Sequence, residues 1–135
     1  MKMSIRSIRF LIVDDPPQAR TALHRLISTL PGGEVVAEAE NGAEAVQLIP
    51  VHQPHVVLMD IVMPVMDGLQ AAEHMKRHYP ELHIILYTGH DKERFRHRAQ
   101  AIPVDALYAK EELSLSELRN LVNQWFPHSE RGGRQ

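Results

Sequence analysis

The stretch that decides the fold is VVLMDIVMPVMDG at residues 56–68, an apolar run that ends in a carboxylate and leads into a turn. Four consecutive apolar residues without alternation are typical of a strand that is covered on both faces. Met63-Pro64 and Asp67-Gly68 then provide the residues that break regular structure and form turns. The pattern predicts a buried strand that presents the Asp60 side chain at its end.

Short apolar runs of the same kind recur along the chain and alternate with helical patterns. Strands are expected at 8–13, 84–87 and 106–109, with a weaker one nearer an edge at 34–39. Apolar residues at helical spacing predict helices at 19–30, 43–49, 68–79, 95–102 and 115–125, with Pro50 expected to end the second helix. This alternation predicts an α/β fold: a doubly wound five-stranded parallel sheet flanked by five helices.

Composition limits the classes of protein that need to be considered. The 135 residues are enough for one domain, which we assign to 1–126, while 127–135 is expected to be a disordered tail or a truncated linker. A formal net charge of −2 gives no basis for direct nucleic-acid binding through bulk charge. The absence of cysteine excludes a disulfide framework and suits the cytoplasm, and no signal-peptide core or membrane span is present.

Polar side chains follow the predicted strands at the points where the strands end. Asp14 and Asp15 follow the first strand, Asp60 ends the third, Thr88 ends the fourth and Lys110 follows the fifth. In doubly wound sheets the ligand site lies beyond the carboxyl ends of the strands, so these groups are expected to meet. Adjacent acids favour a cation between them, and Mg²⁺ prefers carboxylate, water and phosphate oxygens. The set therefore predicts a metal site that accepts a phosphoryl group.

Each member of this set also has an ordinary structural explanation. The acid pair could be an acidic start to a helix, where the helix dipole favours negative charge. Thr88-Gly89 could be a simple strand-end turn, and Lys110 could belong to a surface charge cluster with the two glutamates that follow it. A small phosphohydrolase that uses an aspartyl-phosphate is a weak rival, because it would normally place a second acid where Val62 stands. The combination is specific although its members are not.

The segment 58–68 resembles the phosphoacceptor segment of two-component response-regulator receiver domains. The acid pair, Thr88 and Lys110 follow in that family's order, and the resemblance covers nearly the whole chain from residue 8 onward. It implies a flavodoxin-like strand order, with Asp60 receiving phosphate from a histidine of a sensor kinase or phosphotransfer protein. Thr88 and Lys110 would hold the phosphoryl group.

The resemblance also implies a Mg²⁺ site. Asp15 and Asp60 would bind the ion directly, joined by the backbone carbonyl of Val62, while Asp14 would act largely through water. Such a chain would catalyse at most its own phosphorylation and dephosphorylation, and would not be a dedicated metabolic enzyme. Val62 and His90, two residues after Asp60 and Thr88, would flank the path of an attacking water.

Other positions bear on partners and on switching. Residues 39–45 are similar to receivers of the branch that carries a helix-turn-helix output, which implies a DNA-binding output domain missing from this chain. In receivers the face of the fourth helix, fifth strand and fifth helix often forms a homodimer. Leu107 stands where the family usually has an aromatic ring, and Tyr108 should point to the opposite face of the sheet. The alternative is a pseudo-receiver, a protein-interaction module that works without phosphate.

Overall fold

A computed structural model describes residues 7–127, so the expected tail at 127–135 lies outside the described residues except for Pro127. Strands and helices alternate strictly through this range. The five strands are β1 (Ile8–Val13), β2 (Gly33–Ala39), β3 (Val56–Asp60), β4 (His83–Thr88) and β5 (Ala106–Ala109). The five α-helices are α1 (Pro17–Ser28), α2 (Gly42–His52), α3 (Gly68–His78), α4 (Glu93–Gln100) and α5 (Leu115–Trp125), and a short 3-10 turn (Lys110–Glu112) follows β5.

The strands form one parallel sheet in the order β2-β1-β3-β4-β5. This is the flavodoxin-like order, and it confirms the predicted doubly wound architecture. The order reverses between β1 and β3, where two successive connections leave the sheet on opposite sides. A crevice at that reversal is the usual place for a ligand in this architecture.

Two cores sandwich the sheet, and β1 shows how the sequence builds both. Phe10 and Ile12 point into the core beneath α1 and α5, while Leu11 and Val13 point into the core beneath α2, α3 and α4. All four are fully buried, because strand neighbours alternate between faces and both faces are covered. This is the physical reason that the strand runs are continuously apolar.

Helix ends follow local capping rules, with one correction to the sequence prediction. Asn41, Asp67 and Ser114 each accept a main-chain N–H with their side chains, at the starts of α2, α3 and α5. Pro50 does not end α2, which continues to His52. Proline costs one main-chain hydrogen bond there, but its fixed φ fits a helix. The helix ends instead at Gln53, in a left-handed conformation with φ of 49°.

None of the helices within residues 7–127 combines the length and the apolar character needed to cross a bilayer.

Candidate functional site

The strand register brings the predicted polar residues to one edge of the sheet. Val13 is paired with Met59 in β3, and Thr88 is paired with Ala109 in β5. Strands of a parallel sheet end on the same side, so the residues that end or follow β1, β3, β4 and β5 line that edge; they are Asp14, Asp60, Thr88 and Lys110. The register therefore places these four groups along the same edge of the sheet.

Asp14 is the most deeply placed of the acids. It is fully buried, and its Oδ2 accepts a hydrogen bond of 2.6 Å from the Tyr87 hydroxyl. The Nζ of Lys110 lies 3.8 Å from the same oxygen. The other oxygen, Oδ1, is buried and has no hydrogen-bond partner. A buried carboxylate oxygen without a donor is costly, so this atom is available to a ligand that brings positive charge or donor protons.

Asp60 lies beside Asp14 and is partly open to solvent. Burial, and then the charge of Asp14 and a hydrogen bond between the two carboxyl groups, raise the pKa of Asp60 to about 7. Lys110 and a hydrogen bond from the Val62 backbone oppose that shift. Two carboxyl groups in contact cannot both ionise cheaply, so a cation placed between them would relieve the repulsion.

Asp15, the second acid of the pair, is exposed at the start of the loop that leads to α1. The loop is held from below by Arg20, whose Nη1 donates to the main-chain oxygens of Asp14 and Asp15, both at 2.8 Å. Within residues 7–127, no group of three or more histidine, cysteine or acidic side chains is arranged so that it could hold a metal ion. The structure thus brings Asp14 and Asp60 together but does not add Asp15 to them as a third side-chain ligand.

The donor set nevertheless suits a hard cation. The acids at this edge offer oxygen ligands: the carboxyl group of Asp60 and that of Asp14, whose Oδ1 is buried and unpaired. Mg²⁺ takes one or two carboxylates and keeps several waters, so it does not need three protein side chains. The residues present therefore fit Mg²⁺.

The hydroxyl and the ammonium complete the edge. Thr88 is fully buried, and its Oγ1 accepts the main-chain N–H of His90 at 3.0 Å. Because that oxygen is the acceptor in this bond, the Thr88 hydroxyl proton remains free to be donated elsewhere. Lys110 has half of its side chain exposed, with Nζ 5.7 Å from the centre of the Tyr87 ring. The edge therefore carries the partly exposed ammonium of Lys110 and the buried hydroxyl of Thr88 beside the two acids.

The glycine of the deciding stretch allows the close approach of α3 to this edge. A Cβ built on Gly68 would lie 2.3 Å from the main-chain oxygen of Asp60 and 2.9 Å from the Cα of Ile61. The Gly68 N–H donates to the Ile61 oxygen at 2.7 Å, which closes the loop directly beneath the acid. Val65, at the tip of the loop, has a φ of 70°, a strained value for a β-branched residue. Strain and close packing together fix the direction of Asp60.

Comparison with known proteins identifies the family. The model of the response regulator receiver domain matches residues 10–123, which is most of the chain. The chain belongs to this family. Receivers of this kind are domains of two-component response regulators, and they generally bind Mg²⁺ for phosphorylation.

Individual relatives agree with this membership. The transcriptional regulatory protein DegU of Brevibacillus brevis is 35% identical over 88 residues, which are 65% of this chain and 37% of DegU. The response regulator GacA of Pseudomonas aeruginosa is 30% identical over 119 residues, which are 88% of this chain and 55% of GacA. The receiver therefore spans little more than a third of DegU and about half of GacA.

Solved structures show the same fold. The signal receiver domain of a NarL response regulator from Mycobacterium tuberculosis has a TM-score of 0.77 at 29% identity, covering 95% of this chain and 99% of that one. A LuxR-family response regulator from Aurantimonas has a TM-score of 0.78 at 30% identity, covering 87% and 84%. Both matches include the five-stranded sheet that positions the acids.

Leu107 and Tyr108 point to opposite faces of β5. Leu107 packs into the core under α2, α3 and α4, whereas Tyr108 packs against the opposite core and its hydroxyl donates to Glu117 at 3.0 Å. The prediction that Tyr108 points to the face opposite Leu107 is confirmed. Sequence reasoning missed Tyr87, whose hydroxyl bonds Asp14. A tyrosine at the end of a buried apolar run needs a polar partner for its hydroxyl, so Tyr87 could have been recognised from the sequence as a residue that contacts the site.

Proposed function

We propose that Asp60 of this receiver accepts a phosphoryl group from a phosphohistidine of a sensor kinase or a phosphotransfer protein. The observation that carries the proposal is the fully buried Asp14, with one oxygen unpartnered and the other 3.8 Å from Lys110 Nζ, at a sheet edge that also holds Asp60 and Thr88. Phosphoryl transfer asks a protein mainly for positioning and charge neutralisation. This edge supplies both.

Asp60 is better suited to be the nucleophile than either neighbouring acid. Asp14 is fully buried, and one of its oxygens is occupied by the Tyr87 hydroxyl. Asp15 is exposed on a loop. Asp60 alone is both fixed by a strand and partly open to solvent, so an incoming phosphorus can reach its oxygen. The oxygen attacks phosphorus, and the bond from phosphorus to the donor nitrogen breaks, leaving the donor histidine neutral.

Mg²⁺ would be held by the carboxylates of Asp15 and Asp60 and by the backbone carbonyl of Val62, with Asp14 acting largely through water. When bound, the ion supplies positive charge that offsets the acids and the phosphoryl oxygens. The unpaired, buried Oδ1 of Asp14 supports a cation beside Asp14 and Asp60. Asp15 is exposed on its loop and would turn its side chain towards the ion to bind it.

Thr88 and Lys110 would hold the transferred group. The Thr88 hydroxyl retains a proton to donate, because its oxygen already accepts from His90. Lys110 is exposed enough to turn its Nζ from Asp14 towards a new anion. A phosphoryl group adds roughly two negative charges, which attract both side chains and bias the loops that carry them. Val62 and His90, at the mouth of the site, would then set the lifetime of the phosphate.

The output belongs to segments beyond this chain. DegU is a transcriptional regulatory protein and the Aurantimonas relative is of the LuxR family, which supports a DNA-binding output domain in the whole protein. We place a homodimer contact on the face of α4, β5 and α5. Lys92, just before α4, pairs with Glu112 at 2.7 Å near this face, and phosphorylation would act on such pairs. We also propose a cytoplasmic location, which suits a phosphoryl donor that is charged from ATP.

Intact-mass measurement after incubation with acetyl phosphate and Mg²⁺ tests the proposal. The expected result is a gain of one phosphoryl group that requires Mg²⁺, disappears in Asp60→Asn and persists in Asp91→Asn, an exposed acid at the start of α4. Acetyl phosphate is used because it needs no cognate kinase. No gain from acetyl phosphate or from a phosphohistidine donor, in protein shown to be folded, would overturn the proposal in favour of the pseudo-receiver.

A further inference from the structure

A second cavity lies at the opposite edge of the sheet from Asp60. It has a volume of about 640 Å³ and is formed by the end of α2, the loop before β3, the turn between α3 and β4, and the end of α5. His55, just before β3, donates its main-chain N–H to Arg9, and His83 at the start of β4 donates to His55. These are the amino ends of the strands. The volume is within the usual range for small-molecule sites, roughly 300–1,000 Å³.

Most of the side chains that line this cavity are apolar, but four of them are arginine or histidine. Arg9, His55, His78 and His83 face it, against one acidic side chain, Glu81. Asp105, the other acid nearby, is already bonded by Lys76 at 3.1 Å and by His83 at 3.2 Å. Burial, followed by the charges of Arg9 and His83, lowers the pKa of His55. The Arg9 guanidinium supplies a positive charge that would attract an anion to the cavity.

The donors that could meet an anion are held in fixed positions. His55 Nδ1 accepts the Arg9 main-chain N–H at 2.9 Å, so the neutral ring carries its proton on Nε2. That Nε2 has no hydrogen-bond partner within the described part of the chain. The Arg9 guanidinium is anchored by two bonds to the Gln53 carbonyl, at 3.0 and 2.7 Å, which leaves Nη1 unused. Among residues 7–127, these two N–H donors therefore have no protein acceptor.

The rest of the lining is flat and apolar. Phe126 packs edge-on against the His55 ring at 5.5 Å and against His83 at 5.6 Å, and Tyr79 with Pro80 forms part of the wall. His83 is itself stacked on Trp125 at 4.1 Å, with the planes 9° apart. Aromatic walls favour a planar partner, because stacked or edge-on contacts add to simple burial.

We propose that this cavity binds a small planar organic anion of the aromatic carboxylate class, with the carboxylate on Arg9 and His55 and the ring between Phe126 and Tyr79. The site is remote from Asp60 and does not depend on phosphate chemistry. Phe126, the residue that follows α5, forms part of the cavity wall. Occupancy would therefore bias the direction of α5, as a second input to the same output.

Trp125 provides a direct readout, since it is the only tryptophan and stacks on a histidine of the cavity. Benzoate is titrated into the full chain, with tryptophan emission excited at 295 nm and amide shifts recorded by NMR. Benzyl alcohol, which has the ring without the charge, serves as the control ligand. We expect saturable binding of benzoate in the millimolar range or tighter, at least several-fold tighter than benzyl alcohol, with shifts around Phe126 rather than Asp60.

Two variants test the assignment in opposite directions. His55→Asn keeps an acceptor for the Arg9 N–H but loses the Nε2 donor, and should weaken benzoate binding by about ten-fold, the effect of one hydrogen bond to a charged group. Glu81→Gln removes the acidic side chain of the lining and should tighten benzoate binding several-fold. Because Glu81 is exposed, this change leaves the packing of the core intact. Glu111→Gln, at the other edge, should change nothing. Equal binding of benzoate and benzyl alcohol, or no response to either variant, would overturn the proposal.

Discussion

Replacing Tyr87 with phenylalanine tests whether the buried bond to Asp14 stabilises the candidate site. Both side chains are fully buried, and the bond joins a hydroxyl to a carboxylate at 2.6 Å. The change removes one oxygen and leaves the ring to pack as before. Asp14 already has one oxygen without a partner, so Tyr87→Phe would leave Lys110, at 3.8 Å, as the remaining attractive group for its charge.

The expected loss follows from the burial of the charge. A hydrogen bond to a charged group contributes about 1.5–3 kcal/mol, and the buried position of Asp14 puts Tyr87→Phe towards the upper part of that range. Tyr108→Phe is the matched control, because it removes the same atom from a tyrosine that bonds Glu117 in a solvent-accessible place. That change should cost less than about 1 kcal/mol.

Urea unfolding in EDTA at pH 8, followed by the emission of Trp125, gives the free energy of unfolding for each variant. Adding Mg²⁺ should reduce the loss in Tyr87→Phe, because a cation at the acids offsets the charge that the hydroxyl no longer partners. If Tyr87→Phe loses no more stability than Tyr108→Phe, the bond to Asp14 does not stabilise the site and the reasoning fails.

Three further predictions concern packing and pH. Gly68→Ala should cost at least about 2 kcal/mol in urea unfolding and slow phosphorylation, because the added methyl meets main-chain atoms. Gly89→Ala, whose methyl would lie at an ordinary contact distance of 3.9 Å from Lys110 Cδ, should be nearly neutral in stability. The pKa of Asp60 is raised to about 7, so in EDTA the folded state keeps that proton up to about pH 7 while the unfolded state loses it near pH 4. The free energy of unfolding should therefore fall as pH rises from 4 to 7. Asp60→Asn should abolish this fall and raise the free energy of unfolding at pH 8 by roughly 1–2 kcal/mol, a value discounted for solvent screening. The lowered pKa of His55 has the opposite effect on stability, because the unfolded state binds the proton at a higher pH than the folded state. Stability should therefore fall as pH drops below 6.5, and thermal melts between pH 5 and 7.5 should show a smaller fall in His55→Asn.

The fold was predictable because its signals are local. Each strand is a continuous apolar run, and each run is separated from the next by a helical pattern, so the parallel sheet and the meeting of strand ends follow from general rules. Asp60 could be singled out because a carboxylate at the end of the run at 56–59 has no packing role. The position of Lys110 followed from the same rule.

Other features depend on contacts that no local pattern contains. Tyr87 and Asp14 are 73 residues apart, and only the register of β1, β3 and β4 brings the hydroxyl to the carboxylate. Pro50 was expected to end α2, because proline usually disrupts a helix. The helix continues past Pro50 because the packing of Ile49 in the core supports its last turn. The second cavity joins side chains from five elements, each of which looks like ordinary surface in sequence.

The acidic edge makes physical sense only as a site of chemistry. A fully buried Asp14 with an unpaired oxygen, in contact with a second carboxyl group, costs folding free energy, since burial and like charge both disfavour ionisation. Neither acid belongs to the two apolar cores, since Asp14 follows β1 and Asp60 is the last residue of β3. Tyr87 and Lys110 offset part of the cost but leave Oδ1 of Asp14 buried without a hydrogen-bond partner. A cation would offset the excess of negative charge and leave Lys110 to pair with a phosphoryl group, so the cost of the buried acids and the proposed phosphoryl transfer have one cause.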